Sequence, residues 1–240
     1  MTEPRENLQD PPAEDPMPFT IPFLVGGNFI SPGFYINEAL KTIIGVDAFG
    51  WASRQIAGDW EAVKRAAGAA ETLAHFNTAF HDSLESAWGR QVEASWRGNA
   101  ADDARNYFAQ LAGNVEFQVR SLEEIHRTLN NISNSMVNLA RVLGDLLQDL
   151  VDAVIMYLLA RAAGAVLASS LATSPLAMAQ FAVAAAHAVY MVARFGQAMN
   201  AVTAAFKVVI GLGATLLTAS SRMPDELPPL NTSTYDHPGV

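Results

Sequence analysis

Hydrophobic positions in this chain recur at helical spacing over most of its length. The longest run is Ala104, Phe108, Leu111, Val115, Gln118, Leu122, Ile125, Leu129, Ile132, Met136, Leu139, Leu143, Leu146 and Leu150, alternating steps of four and three. Gln118 is its one polar position. A 3.5-residue period held this long makes a seam that meets a partner helix in a left-handed crossing. At ~1.5 Å per residue the seam is on the order of 70 Å long, more than a compact globule needs. It predicts a hairpin and a second chain, with Gly113–Asn114 as the expected bend.

Upstream, capping residues punctuate three more helices. Ser31 followed by Pro32 reads as an N-cap with proline at the first helical position, and Gly45 as the stop. Asp47 caps a short second helix through Ile56, with Gly58 just beyond. Asp59 opens a third helix with apolar positions Trp60, Val63, Ala67, Ala70, Ala74, Phe80, Leu84 and Ala87. Lys64, Arg65, Glu71, His75 and Asp82 fall largely between them, which makes this helix amphipathic. The stretch 88–99 (WGRQVEASWRGN) breaks the pattern with two glycines and two tryptophans, and Asp102–Asp103 then mark a new helix start.

From Val151 the pattern changes. Thirty-two residues between Arg161 and Arg194 carry no charge, interrupted by Ser174–Pro175. Small residues recur at Ala160, Gly164, Ala168 and Ala172, a spacing that lets helix backbones approach closely. This predicts an apolar helical hairpin with arms 150–173 and 176–220, the second bending at Gly196 or Gly211, buried as a pair against the seam helix. No strand pattern competes. The expected fold is all-α: an elongated antiparallel helical hairpin with additional apolar helices packed as a bundle. Its parts are an acidic, proline-bearing tail and loop (1–30), short helices (31–58), the hairpin (59–150), the apolar hairpin (151–221) and a proline-rich tail (222–240).

Composition narrows the function. The chain has 240 residues, no cysteine and a net charge of −9. Disulfides, thiolate metal sites and cysteine nucleophiles are excluded. The charge argues against nucleic acid and anionic membrane surfaces as partners. It resides in residues 1–150, which hold 20 acids against 11 bases. Residues 1–18, rich in proline and acids, are expected to be disordered and lack the basic n-region of a secretory signal peptide. Catalytic chemistry is thin. His81 and Asp82 are sequence neighbours and point to different sides of a helix, so a solvated face is expected. His187, among alanines, reads as a core or interface histidine, and Asp102–Asp103 and Glu123–Glu124 as surface pairs. No phosphate loop, nucleophile elbow or metal-ligand spacing is present. No catalytic, cofactor or metal residue is therefore expected, and no enzyme.

Trp96-Arg97-Gly98 lies in the connection between the two long amphipathic helices. Glycine tolerates the backbone angles of such a turn, and an indole can cap the open end of a helix pair. With Asn99-Ala-Ala-Asp-Asp directly after it, the motif resembles the WXG (Trp-x-Gly, ESAT-like) family of type VII, or ESX, secretion substrates. The stretches SPGFY (31–35), GVDAFGW (45–51), GDWEAV (58–63) and WRGNAADDARNYF (96–108) resemble the longer actinobacterial members, in which an alanine-rich apolar segment follows the hairpin. The resemblance spans about residues 31–205 and is densest over 58–108. It implies a non-catalytic helical protein, paired with itself or with a small WXG-like helical partner. Such a protein is engaged by an ESX secretion ATPase, cytoplasmic before export and secreted or at the cell envelope afterwards. Trp88, Trp96 and Gly98 would be the presented tip. Leu111, Leu122, Ile125, Leu129, Ile132, Met136, Leu139 and Leu143 would form the pairing seam. One departure stands out. The family's Tyr-x-x-x-Asp/Glu export signal is absent: four residues after Tyr35, Tyr107, Tyr157, Tyr190 and Tyr235 stand Ala39, Leu111, Arg161, Arg194 and Gly239.

Two alternatives come from the residues alone. The 150–220 segment could insert into a membrane or form a pore, since 176–193 approaches the ~20 residues that span a bilayer. Against this, alanine contributes little to insertion, and Asp152, Arg161, Arg194 and Lys207 are costly at depth. Alternatively, the chain is a leader module to which a toxin domain attaches after Ser221.

Overall fold

A computed structural model describes residues 3–12, 16–17, 32–169 and 175–221. Among them every regular element is helical, so the architecture is all-α. A single 3-10 turn (Pro4–Asn7) is followed by α1 (Pro32–Ile44), α2 (Ala48–Ile56) and α3 (Trp60–Ala87). A short π turn (Trp88–Val92) leads to α4 (Asn99–Ser169) and then α5 (Pro175–Ser220).

The short helices end where their capping chemistry says. Gly45 takes φ +86° and donates its N–H to Lys41 O at 2.8 Å, closing α1. Asp47 accepts the Gly50 N–H at 2.9 Å and opens α2. Burial alone would push the Asp47 carboxyl up. The Gly50 N–H, Asn37 and the charges of Lys41 and Arg54 outweigh it and hold the carboxyl below its ordinary value. The Ser31 cap lies outside the described residues.

The seam helix departs from expectation. α4 is unbroken through Gly113–Asn114 and does not stop at Leu150; it continues to Ser169. Between Leu150 and Ser169 the sequence holds one glycine, no proline and mostly strong helix formers, so nothing in the backbone ends the helix there. The first arm of the apolar hairpin is thus the continuation of the seam helix. α5 likewise runs unbroken through Gly196 and Gly211.

The chain divides into two compact units. The first comprises Met1–Asp15, Glu61–Ile132 and Gly211–Val240; the second comprises Pro16–Trp60 and Ser133–Ile210. In the first, α3 packs on the N-terminal part of α4 through Ala67, Ala70 and Ala74, its buried residues. With methyl groups at these positions, imidazoles bridge the pair. His126 Nδ1 lies 2.8 Å from Ala67 O, and His81 Nδ1 lies 3.0 Å from Ala112 O. A carbonyl can only accept, so each ring carries its proton on Nδ1. Asn130 then donates to His126 Nε2 at 3.0 Å. This corrects the solvated-face expectation for His81, whose side chain is 20% exposed. Gln118, the polar position of the seam, accepts from Asn77 across the helix pair at 3.2 Å. The tail expected to be disordered has a partly fixed place. Pro4–Asn7 forms its turn, and Pro11 sits so close to Gly68 that a Cβ there would lie 2.7 Å from the proline Cβ.

In the second unit, Leu40 and Phe49 of α1–α2 join Met136, Leu143, Leu150 and Val154 of α4 and Met191, Phe195 and Val202 of α5 in one core. Trp51 meets Phe195 edge-on at 5.0 Å. The deepest line on α4 is Ser133, Met136, Ala140, Leu143, Leu147, Leu150 and Val154. It shares Met136, Leu143 and Leu150 with the predicted seam, but α1–α2 cover this helix as well as α5, so the buried arc is wider than one seam. The apolar arms are not a buried pair. α5 is buried along one stripe, which holds Ala177, Ala184, Met191 and Ala198 at seven-residue spacing with Phe195 and Val202 beside them. Met178, Val183, Val189 and Val192 of α5 are exposed, as are Met156, Leu159 and Val166 of α4. Both helices are apolar nearly all round here, and burial of one face leaves the others open.

Candidate functional site

The turn of the first unit gathers its aromatic residues. α3 ends at Ala87, and the π turn carries the chain round, with Glu93 N–H donating to Trp88 O at 3.0 Å. Trp96 N–H donates to Val92 O at 2.9 Å. Gly98 then takes φ +104°, and its carbonyl accepts from Ala101 and Asp102 at 2.8 and 3.1 Å to start α4. That backbone brings Trp96 back over Trp88, with ring centroids 6.3 Å apart, and Trp88 against Phe108 at 5.7 Å. Tyr107 meets Phe108 edge-on at 5.5 Å. The three predicted tip residues are therefore together. Phe108, which periodicity placed in the seam, turns its ring to the tip instead.

Glu93 and Arg105 brace the two sides of the turn at 2.7 Å, both about half exposed, a geometry that typically contributes ~0–1 kcal/mol. Trp96 is 40% exposed and Phe108 38%, which leaves an aromatic surface facing outward. Trp88 is more enclosed, and its indole N–H is buried with no acceptor among the described residues. Beside it runs a groove of about 510 Å³, floored by Trp88 and Phe108 and rimmed by Glu85, Glu93, Glu116 and Arg105. An apolar floor under a mostly acidic rim suits a helix or extended segment that brings apolar side chains and a cation.

The seam residues divide between the units. Leu111, Leu122, Ile125, Leu129 and Ile132 are half-buried in the first. Met136, Leu139 and Leu143 are buried in the second. His81 lines the tip groove as well as bridging to Ala112, a role that sequence could not suggest, because its partner lies 31 residues away. His187 is half-buried in a shallow cleft with Asp149, Asp152 and Tyr190. Among the described residues no three His, Asp or Glu side chains cluster as metal ligands. No family model, curated protein or solved structure matches the chain.

Proposed function

We propose that this chain is a non-catalytic helical protein of the WXG type. It would be handled by a type VII (ESX) secretion machine and act by helix–helix contact with itself or a small helical partner. The observation that carries the reading is the turn itself. A Trp-x-Gly whose glycine needs a positive φ folds Trp96 onto Trp88 and Phe108 at the end of a helical hairpin. The tip rings and the half-buried stretch of the seam, Leu111 to Ile132, are the surfaces offered to a partner. Arg161 and Arg194 stand where the family's signal carries an acid, which leaves three routes open: the signal is on a partner, this chain uses a different one, or another component is the one exported.

The test is expression in an ESX-competent actinobacterial host, with its secretion ATPase present or deleted, followed by assay of the culture filtrate and cell envelope. Export should require the ATPase. Trp96→Ala should lower it about tenfold, the loss of one exposed aromatic contact of ~1.4 kcal/mol, with helicity by circular dichroism retained. Export that ignores both changes overturns the reading. The exposed apolar side chains of α4 and α5 favour a second reading, association of the 150–220 segment with a bilayer.

A further inference from the structure

We propose that a second copy of this chain docks on the aromatic turn. Lys207 and Ile210 of its α5 enter the groove floored by Trp88 and Phe108, and Glu85 and Glu116 on the rim receive the lysine. This rests on the self-association half of the proposed function and adds which two patches meet.

The groove lacks a cation. Its one arginine, Arg105, is held by Glu93 at 2.7 Å. Glu85 and Glu116 have only long contacts among the described residues, 3.7 Å to His81 Nε2 and 3.9 Å to Arg120 Nη2, and their side chains are 67% and 59% exposed. An aromatic floor beside free carboxylates attracts an ammonium twice, through the ring faces and through charge. Gly89 and Gly113 line the same groove, and a Cβ on either would meet nothing within 4 Å, so a side chain from outside can approach the backbone closely. At about 510 Å³ the space lies in the lower half of the ~300–1,000 Å³ that encloses a small ligand, room for a few side chains and not for the body of a helix.

α5 carries the complement. From 153 to 224 the sequence holds no acid, and Lys207 is the one charge between Arg194 and Arg222. Lys207 forms no hydrogen bond or ion pair among the described residues. Arg161 and Arg194 differ in this: Arg161 donates to Tyr157 OH at 2.8 Å, and Arg194 donates to Tyr190 OH at 2.7 Å and meets Asp149 at 3.3 Å. Beside Lys207 stand exposed Met199, Phe206 and Ile210, the last 71% exposed. At ~100° per residue these four fall within an arc of about 100°, so they form one face. It lies in the least buried stretch of the helix: of residues 201–218 only Val202 is buried. A second α5 does not complement this face, because it brings another lysine and no acid. Hydrocarbon would leave the ammonium unpaired, whereas the groove offers it carboxylates. Charge also guides the approach. Residues 1–150 carry 20 acids against 11 bases, and 151–221 carry one acid against three bases, so the turn of one copy attracts α5 of the other. Each copy has one groove and one matching face, so each can give one contact and receive one.

Sedimentation velocity on the full-length chain, over a series of concentrations, tests the contact. Wild type should associate reversibly, and less so in high salt. Lys207→Glu should weaken association about tenfold, and so should the double variant Glu85→Lys with Glu116→Lys. All three side chains are exposed, so these changes leave the fold intact. Gly113→Leu fills the groove from a position where helix propensity favours the new residue, and should weaken association with helicity retained. Arg161→Gln should leave association unchanged. An equimolar mixture of Lys207→Glu with the double variant should associate again, since each supplies the patch that the other lacks. A wild type that stays monomeric at every concentration overturns the inference, and ATPase-dependent export of that monomer leaves the secretion reading standing. Association that survives Lys207→Glu and Gly113→Leu, or a mixture of the charge variants that does not associate, means that another surface joins the copies and overturns the groove contact. Wild-type association that follows this pattern in a chain whose export ignores the ATPase removes the secretion reading alone.

Discussion

Gly89 and Gly98 bracket the aromatic turn, and a Cβ added at either meets nothing within 4 Å. They differ in backbone. Gly98 has φ +104°, and Gly89, within the π turn, does not have a positive φ. Gly98→Ala therefore tests the backbone requirement of the Trp-x-Gly motif without a steric clash from neighbours. Holding an L residue there costs about 1–3 kcal/mol, offset by ~0.4–1 kcal/mol from the stiffer unfolded chain. The net loss should be about 1–2 kcal/mol. Gly89→Ala places alanine in helical backbone and should gain ~0.5–1 kcal/mol. One chemical change at two open sites then gives opposite signs, separated by about 2–3 kcal/mol. Native-state hydrogen exchange at Ala101 and Asp102, whose amides bond to Gly98 O, reads the turn locally. Urea unfolding reads it globally, where a loss of about 1.5 kcal/mol moves the midpoint by roughly 0.5–1.5 M. D-alanine at 98, introduced by semisynthesis, should restore stability. If Gly98→Ala is neutral and Gly89→Ala matches it, the turn has no need of positive φ, and backbone conformation does not explain the glycine of the motif.

Two further substitutions probe the second unit. Ser133 is fully buried and its hydroxyl has no partner among the described residues. Ser133→Ala should stabilise by ~1–3 kcal/mol through the removed desolvation cost, together with about half a kcal/mol of helix propensity. The check is the urea transition followed through Trp51, and a destabilised variant would mean that the hydroxyl is bonded. Asp47→Ala should cost ~1 kcal/mol at neutral pH through loss of the α2 cap. Because the folded carboxyl is held below its ordinary value, that stability is present above the unfolded pKa of ~3.9 and disappears as pH falls through the folded one. Thermal melts should separate wild type from variant at neutral pH and converge once the pH has fallen through the titration of the folded carboxyl; a gap independent of pH excludes the charged cap.

Helix ends set by one side chain or one backbone angle were legible in the sequence, as at Gly45, Asp47 and the Trp-x-Gly turn, because the cause lies within four residues of the effect. The continuation of α4 past Leu150 was not legible from composition. Leucine gives way to alanine there, which changes what the helix touches but leaves the backbone as helical as before. His81 and His126 find their carbonyls 31 and 59 residues away, beyond any local pattern. Alanine links these misses. On a hydropathy pattern Ala67, Ala140 and Ala184 are weak positions, yet each is buried, and at Ala67 an imidazole reaches across to the backbone carbonyl. Periodicity finds the line of large apolar residues and takes it for the inside, which holds for Met136, Leu143 and Leu150. In the arms beyond them the large residues are outside, and the same periodicity points to the wrong face. Hydropathy averaged round a helix cannot register that reversal, because both faces are apolar. The size difference between the faces carries the information, and it becomes readable once the phase of each helix is known.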